Sequence, residues 1–258
     1  LSTFDYQVFT IDVLSAGTQT TIQDYPGRVG YWHVGVPPSG PFDNLSFRLG
    51  NRLLGNSEQC AGLELTLNGP TLKFNCGTRI VLAGACMQAT LEGKPVGFWQ
   101  VLAIKKNQTL VISKVVAAGA RAYLLVQGGI DCPAYLGSRS TFTLGQFGGH
   151  NGRVLRVGDV LKLANPSLVA ESVSDGAVDR IATTLDQHLI PAITHQWQLR
   201  VITGPHAAPD YFTEQDMQIF FQSQWEVHYN SSRTGVRLIG PKPEWARKTG
   251  GEAGMHPS

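Results

Sequence analysis

The sequence lacks the features that mark nucleic-acid-binding, membrane-spanning and secreted proteins. Its 258 residues carry a formal net charge of only +2 and no basic run, so the positive surface that nucleic acid requires is missing. The longest apolar runs, residues 80–85 and 122–126, are as long as strands and too short to span a membrane. Residues 1–10 have no basic start and apolar middle typical of a secretion signal. We therefore expect a soluble, cytoplasmic protein without nucleic-acid or membrane partners.

Cysteine is scarce and follows no metal-binding pattern. Cys60, Cys76, Cys86 and Cys132 show neither a CxxC spacing nor a histidine at a finger-like distance. Four cysteines would suffice for two disulfides in a secreted protein, but nothing else indicates secretion. We expect buried, reduced thiols and no metal site.

Several catalytic motifs are also absent. The sequence has no P-loop, no G-x-G-x-x-G after a strand, no H-E-x-x-H and no G-x-S-x-G. Its seven histidines are scattered, and a scattered histidine is more often a surface or core residue than a ligand. The candidate chemistry must therefore come from polar side chains beside flexible backbone.

Residues 21–56 are the most informative part of the chain. A short strand-like segment leads into a loop rich in Gly and Pro between Pro26 and Pro41. The pattern then predicts a helix over residues 41–54, because Pro suits the first helical position and Gly55 suits the position after the last. Asp43 falls in the predicted first turn, where a negative charge is favoured. The apolar residues at helical spacing are Phe42, Leu45, Leu49 and Leu53.

This loop is flanked by more polar side chains than a plain connection needs. Backbone rich in Gly and Pro can approach a ligand closely. The flanking residues that we predict to converge on one pocket are Gln23, Asp24, Arg28, Ser39 and Asp43, and Asn44 also flanks the loop. In the alternative interpretation, Asp24 and Arg28 form an ion pair that braces the loop, and Asp43 only favours its helix.

A second glycine-rich segment, residues 127–152, holds seven glycines in 26 residues together with Asp131, Arg139 and His150. Backbone N–H groups at Gly128 and Gly129 are of the kind that hold a carbonyl oxygen or carboxylate. We predict that part of this segment forms a second wall of the pocket and that Arg139 contacts substrate. Turn geometry alone would account for about half of these glycines.

The rest of the chain predicts a mainly β fold with few helices. Short apolar or alternating segments suggest eight strands, with Glu92-Gly93 as a hairpin turn. The predicted strands are residues 63–67, 71–74, 79–84, 87–91, 98–104, 109–113, 122–127 and 154–163. So many strands with one good helix favour a barrel or closed sheet over a parallel sheet with crossover helices.

Composition divides the chain into three parts. Residues 1–164 form a first β-rich subdomain, and the more polar residues 165–194 form a connector. Residues 195–258 begin a second subdomain with three predicted strands, at 198–203, 225–229 and 235–239, and one helix. About 60 residues are too few to close a barrel, so we expect an incomplete unit whose apolar residues Trp225, Val227 and Leu238 lack full cover.

Several motifs together resemble the carboxyltransferase domain of urea carboxylases, which also occurs in urea amidolyases. They are TIQDYPGRVGYW, VGVPPSGPFD, LELTLNGPTLKF, QGGID, YLGSRSTFTLGQFGGHNGRVLRVGD and GPKPEWARKTGGEAGMHPS. The resemblance runs from about Val13 to the end of the sequence. It extends more weakly to a 5-oxoprolinase subunit and to proteins of the allophanate hydrolase subunit 2 type.

The resemblance implies paired β-rich subdomains of the cyclophilin-like barrel type, of which this chain covers the N-terminal half. It also implies transfer of a carboxyl group from carboxybiotin to urea, giving allophanate. Biotin would be held by a separate carrier domain, and ATP and Mg would be used by a biotin carboxylase domain. We expect Asp24, Asp43 and Arg28 to be catalytic, and Gln23, Ser39, Asn44, Gly128, Gly129 and Arg139 to bind substrate.

Two other functions stay open at this point. One is a 5-oxoprolinase component, which would help to open a lactam with ATP. The other is a scaffold or carrier-docking module without chemistry of its own. Without the carboxylase domain, the carrier domain and the remaining half of the transferase domain, we expect no turnover by this chain alone.

Overall fold

The computed structural model describes residues 9–164, 185–229, 231 and 235–247. The chain is mostly β, with 31% strand and 12% helix, which confirms the predicted fold class. It divides into two compact units, Leu1–His195 and Gln196–Ser258. Most of the predicted connector, residues 165–184, lies outside the described residues, so that interpretation stays a prediction.

Within the described residues, the first unit contains two antiparallel sheets. One has seven strands in the order β11-β12-β1-β4-β9-β6-β7, and the other has five in the order β2-β3-β10-β5-β8. The strands are β1 (Thr10–Ser15), β2 (Gln19–Gln23), β3 (Gly62–Thr66), β4 (Thr71–Phe74), β5 (Thr78–Gly84), β6 (Met87–Leu91), β7 (Lys94–Pro95), β8 (Val101–Ile104), β9 (Thr109–Val115), β10 (Arg121–Val126), β11 (Ile130–Asp131) and β12 (Val160–Leu163).

The predicted strands match these elements to within a few residues, except that 98–104 and 154–163 are much shorter than predicted. The predicted turn between β6 and β7 is confirmed, because Leu91 pairs with Lys94. Glu92 and Gly93 between them have φ of 50° and 76°, the left-handed geometry that matches the twist of a two-residue hairpin.

Alternation along β5 and β10 explains how one sheet serves two cores. Ile80 and Leu82 join the core shared by both sheets, whereas Val81 and Ala83 face helix α1 (Asn44–Leu53) on the opposite side. All seven residues of β5 are buried. A strand covered on both faces has an unbroken apolar sequence, as the run at residues 80–85 shows.

Helix α1 begins three residues later than predicted. It starts at Asn44, and Asp43 is its N-cap rather than a first-turn residue. The predicted apolar stripe is correspondingly half wrong: Leu49 and Leu53 are buried, but Phe42 and Leu45 are 51% and 48% exposed. The position that fills the core is Phe47, which is fully buried.

Close packing fixes the rotation of α1 on the sheet. The Phe47 ring meets the Tyr123 ring edge-on, with 5.5 Å between ring centroids. Gly50 faces the same sheet, and a Cβ atom there would lie 2.9 Å from Leu125 Cδ2. The absence of a side chain at Gly50 therefore allows the helix to lie close to β10.

The second unit contains helix α2 (Glu214–Gln222) and a short pair of strands, β13 (Glu226–Val227) and β14 (Leu238–Ile239). Thr213 and Asp216 form the predicted helix start as a reciprocal capping box. The strand predicted over residues 198–203 is wrong, since that segment pairs with no other strand among the described residues. As expected, Val227 and Leu238 are 60% and 46% exposed, and Trp225 is half-buried.

Within the described part of the chain, no helix is both long enough and apolar enough to cross a membrane.

Candidate functional site

Asp24 follows strand β2 and binds the second glycine-rich segment. Its Oδ1 accepts hydrogen bonds from Ser138 Oγ at 2.5 Å and Ser140 Oγ at 2.6 Å. Its Oδ2 accepts one from the Arg139 backbone N–H at 2.8 Å. The residue is only 7% exposed. A nearly buried carboxylate is stabilised by such donors, and here they join two segments that lie more than 110 residues apart in the chain.

Arg28 binds the same segment through its guanidinium group. Its Nε donates to the Tyr135 carbonyl and its Nη2 to the Ser140 carbonyl, both at 2.9 Å. The guanidinium carbon lies 4.8 Å from the centre of the Phe147 ring, within the range of a cation–π contact. Arg28 is 1% exposed. Burial lowers the pKa of Arg28, and the negative charge of Asp24 acts in the opposite direction.

The far end of the Gly/Pro loop packs directly on its first residues, 26–28. The backbone N–H of Arg28 donates to the Pro38 carbonyl at 2.6 Å. A Cβ atom on Gly27 would lie 2.4 Å from that same oxygen, and φ at Gly27 is +86°. Ser39, next in the loop, is half-buried with φ of 56°. The close approach of two backbones explains why glycine occupies position 27.

At the end of the loop, Asp43 begins helix α1. Its Oδ1 accepts from the Ser46 backbone N–H at 3.0 Å, and its Oδ2 accepts from Ser46 Oγ at 2.5 Å. This is the usual satisfaction of a free N–H at a helix start. Asp43 is half-buried and Asn44 is exposed, so solvent reaches both.

Two buried residues beneath this helix start were missed by the sequence prediction. Tyr123 on β10 accepts a hydrogen bond from the Asp43 backbone N–H at 2.6 Å. It donates to Glu64 Oε2 on β3 at 3.1 Å, and the Phe42 backbone N–H donates to that same oxygen at 2.6 Å. The available signal was Glu64 itself, an acidic residue between Leu63 and Leu65 in an otherwise apolar strand.

The remaining predicted residues fall into two places. Arg139 is half-buried, and its Nε donates to the Cys132 carbonyl at 3.0 Å. Gln23 is 1% exposed, and its Nε2 donates to Thr21 Oγ1 at 3.0 Å. The structure therefore brings Gln23, Asp24, Arg28 and Arg139 together around residues 138–141.

Gly128 and Gly129 lie near the C-terminal end of α1. The Gly128 N–H donates to Asn56 Oδ1 at 2.8 Å, and the Gly129 N–H donates to the Val126 carbonyl at 2.9 Å. Asn56 follows the end of α1, whose ten residues separate it from Asp43 by about 15 Å at 1.5 Å per residue. Their role in substrate binding stays a prediction.

None of the four cysteines forms a disulfide. The prediction of buried thiols holds only for Cys76, because Cys60 and Cys132 are half-buried and Cys86 is exposed. Burial raises the pKa of Cys60 and Cys76, and raises that of Cys132 to about 11, so these three thiols stay protonated at neutral pH. Among the described residues, no group of three or more His, Cys, Asp or Glu side chains is placed to hold a metal ion.

Asp159 organises the end of the second glycine-rich segment. Arg153 binds both of its carboxylate oxygens at 2.8 Å, and His150 Nε2 lies 3.2 Å from Oδ1. The Arg156 backbone N–H donates to Oδ2 at 2.7 Å. The Arg153 bond is the main cause that lowers the pKa of Asp159 to about 2.

We expect protonation of Asp159 to make the protein less stable at low pH. Because the folded pKa lies below the unfolded value, its contribution is complete above about pH 4 and is lost as pH falls toward 2. Asp159→Asn should remove about 1 kcal/mol of unfolding free energy at pH 6, a figure reduced because the ion pair is partly exposed to solvent, and little at pH 2. Denaturant unfolding across this range tests it, with exposed Asp131→Asn as control. An equal loss at both pH values would contradict the prediction.

Comparison with known proteins shows to which family the chain belongs. A family model for the carboxyltransferase domain, subdomains A and B, matches residues 34–258. The chain belongs to this carboxyltransferase domain family. Residues 23–28 precede the matched range, but relatives that align over the whole chain include them.

Individual relatives place the chain nearer to one branch of the carboxyltransferase family. Urea amidolyase of Lachancea kluyveri is 49% identical over 260 residues, covering all of this chain and 14% of that protein. The crystal structure of the Kluyveromyces lactis urea carboxylase superimposes with a TM-score of 0.85 at 45% identity, covering 95% of this chain and 22% of that one. A 5-oxoprolinase subunit of Haemophilus influenzae is 31% identical, covering 89% of this chain and 68% of that protein.

These findings confirm the resemblance recognised in the sequence. The chain is homologous to the carboxyltransferase region of urea amidolyase and urea carboxylase, and the 5-oxoprolinase subunit is a more distant relative. The chain spans about one seventh of the length of the urea amidolyase that it matches.

Proposed function

We propose that this chain is the carboxyltransferase part of a biotin-dependent urea carboxylase and helps to convert urea into allophanate. The observation that carries the proposal is 49% identity to a urea amidolyase over the whole chain, against 31% to the 5-oxoprolinase subunit. The loop and helix start described above supply a site with suitable chemistry.

Carboxybiotin on the carrier domain would supply the carboxyl group. A bond would form between a urea nitrogen and the carboxyl carbon, the bond from that carbon to the biotin nitrogen would break, and a proton would pass from urea to biotin. Urea is flat and neutral, with four N–H donors and one carbonyl acceptor. Asp43 is the carboxylate best placed to accept an N–H from urea, because it is half-buried and solvent reaches it. Accepting that proton would raise the nucleophilicity of the nitrogen.

The buried residues shape the site behind it. Asp24 and Arg28 together hold residues 135–140 through hydrogen bonds to both side chains and backbone. We propose that they position this segment, and that Arg28 offsets the charge that two neighbouring carboxylates would create. Gln23 lies buried beside them, and half-buried Ser39 lines the loop.

The partly exposed residues suit the ureido group of biotin. A developing negative charge on its oxygen calls for N–H donors held in place. The Arg139 guanidinium is half-buried and uses Nε on Cys132, which leaves further N–H donors on the same group. We propose that Arg139 and the Asn44 side chain hold that oxygen and the carboxyl group.

The partners follow from the same proposal. They are a biotin carrier domain, a biotin carboxylase domain that uses ATP and Mg²⁺, and the remaining half of the transferase domain. The half-covered apolar residues of the second unit, such as Val227 and Leu238, fit such an additional half. We place the enzyme in the cytoplasm, where free cysteines such as those here persist.

The proposal is tested by following ATP cleavage by the intact enzyme in bicarbonate buffer. We expect urea to stimulate ADP formation and allophanate to accumulate in step with it, because transfer regenerates the biotin acceptor. 5-Oxoproline at the same concentration serves as the alternative substrate. Stimulation by 5-oxoproline alone would favour an oxoprolinase component, and stimulation by neither would favour a docking module.

A further inference from the structure

The start of helix α1 is tied to the sheet beneath it by two buried side chains. Glu64 and Tyr123 are direct neighbours across β3 and β10, and they are 2% and 0% exposed. Tyr123 lies on the face that packs against α1, and the hydrogen bonds of both residues reach the backbone that leads into that helix.

The contacts form one continuous chain of hydrogen bonds. The Asp43 N–H donates to the Tyr123 hydroxyl, which donates to Glu64 Oε2, and the Phe42 N–H donates to that oxygen as well. Arg121 Nε lies 3.7 Å from Glu64 Oε1. Burial and the Glu64 carboxylate raise the pKa of Tyr123, so its hydroxyl keeps the proton that it donates.

Two successive peptide groups are therefore held at fixed positions by polar groups of the sheet. Fixing the N–H of Phe42 and of Asp43 fixes the backbone from which the Asp43 side chain leaves. A buried carboxylate is costly unless it is well partnered, and an apolar pair would fill this space without that cost. Helix capping does not explain the pair either, since the Asp43 carboxylate itself accepts the free Ser46 N–H at the helix start.

We infer that Glu64 and Tyr123 are positioning residues for the transfer reaction, which hold the Asp43 carboxylate and the exposed Asn44 in place at the start of α1. The inference rests on the proposed function, because it takes Asp43 as the group that accepts from urea. Neither residue touches substrate. Their effect on the rate comes through the backbone of Phe42 and Asp43, since small displacements of a reacting group slow catalysis strongly.

The test is Tyr123→Phe in the intact enzyme, which removes one hydroxyl and keeps the ring that packs on Phe47. We expect kcat for urea-dependent turnover to fall about 10- to 100-fold, with KM for urea changing less than about threefold. ATP-driven carboxylation of biotin should keep its rate. Hydrogen exchange should speed up at least about tenfold at the amide of Asp43, because its fixed acceptor is lost, and much less at the amide of Phe42, whose acceptor on Glu64 remains.

Thr10→Val is the matched control, since it also removes one buried hydroxyl, the acceptor for Asn75 Nδ2 in the other sheet. Thr10→Val should lower thermal stability as much as Tyr123→Phe does, but it should leave kcat unchanged. Glu64→Gln keeps an oxygen that can accept from Phe42 and Tyr123, so it should retain most of the rate that Tyr123→Phe loses. If Tyr123→Phe does not fold, Glu64→Leu should show the same fall in kcat, because it removes the acceptor of the Phe42 N–H and of the Tyr123 hydroxyl.

The outcomes separate this inference from the function it rests on. A kcat for Tyr123→Phe equal to that of Thr10→Val, or unchanged exchange at the Asp43 amide, would overturn the positioning role while the urea reaction stands. If wild-type enzyme shows no urea-dependent turnover, the proposed function is overturned. The positioning role of Glu64 and Tyr123 in that reaction is then wrong as well.

Discussion

Replacing Asp43 by asparagine in the intact enzyme is expected to lower urea-dependent turnover about 100-fold, the usual scale for a positioned acid–base group. Asparagine is as good an N-cap as aspartate, so the Ser46 contact and the helix start should survive. What is lost is the negative charge that accepts from the urea nitrogen. Steady-state kinetics with urea as the varied substrate measure the loss of turnover. Carboxylation of biotin in the absence of urea should keep its rate and is measured separately.

Asp186 provides a matched control for that substitution. It is also an aspartate N-cap, of the short 3-10 helix Gln187–Leu189, and its carboxylate accepts from the His188 N–H at 3.0 Å. Asp186→Asn should leave turnover unchanged. Near-normal urea turnover by Asp43→Asn, with normal folding, would contradict the catalytic role of this carboxylate.

Replacing Asp24 by alanine is expected to lower the free energy of unfolding by about 3 kcal/mol, because it leaves several buried donors without their acceptor. Those donors are the hydroxyls of Ser138 and Ser140 and the Arg139 N–H. It also removes the negative charge that opposes the effect of burial on Arg28. Denaturant unfolding measures the loss, and the exposed Asp131→Ala should cost less than about 0.5 kcal/mol.

This second result separates two roles of Asp24. If Asp24 is a positioning residue, Asp24→Ala should lower both the free energy of unfolding and the urea-dependent turnover of the enzyme. If Asp24→Ala keeps wild-type stability but loses turnover, Asp24 acts on substrate directly and the positioning role is wrong.

The strands were predictable because their signals are local. A period of two and a turn residue such as Gly93 lie within a few positions of each other in the chain. Residues 71–74 and 87–91 match β4 and β6. Strand β1 was missed because polar Thr10, Asp12 and Ser15 interrupt its apolar residues, and only pairing with β4 and β12 shows its place.

The start of α1 shows where local signals are ambiguous. Pro41 and Asp43 both suit the first residues of a helix, and the sequence alone favoured the earlier start. In the structure, the Asp43 N–H bonds to Tyr123, a residue 80 positions away. A contact so distant in sequence fixes where the helix begins, and no window along the chain contains both partners.

The meeting of four candidate residues was predictable, but their hydrogen-bond partners were not. Polar side chains around a Gly/Pro loop indicated a site, and Gln23, Asp24, Arg28 and Arg139 do meet around residues 138–141. The serines that bind Asp24 lie 114 and 116 residues from it. Glu64 and Tyr123 were hidden because they sit in strands whose pattern predicted only core packing.

The most direct test of the central claim is a chase of labelled carboxyl group from biotin to substrate. The intact enzyme is loaded with ¹³C-bicarbonate and ATP, freed of ATP, and mixed with urea, and the label is followed over time. We predict that wild-type enzyme transfers the label to urea as allophanate, and that Asp43→Asn loads normally but transfers about 100-fold more slowly. Transfer at the wild-type rate by Asp43→Asn, or no transfer to urea by loaded wild-type enzyme, would contradict this assignment.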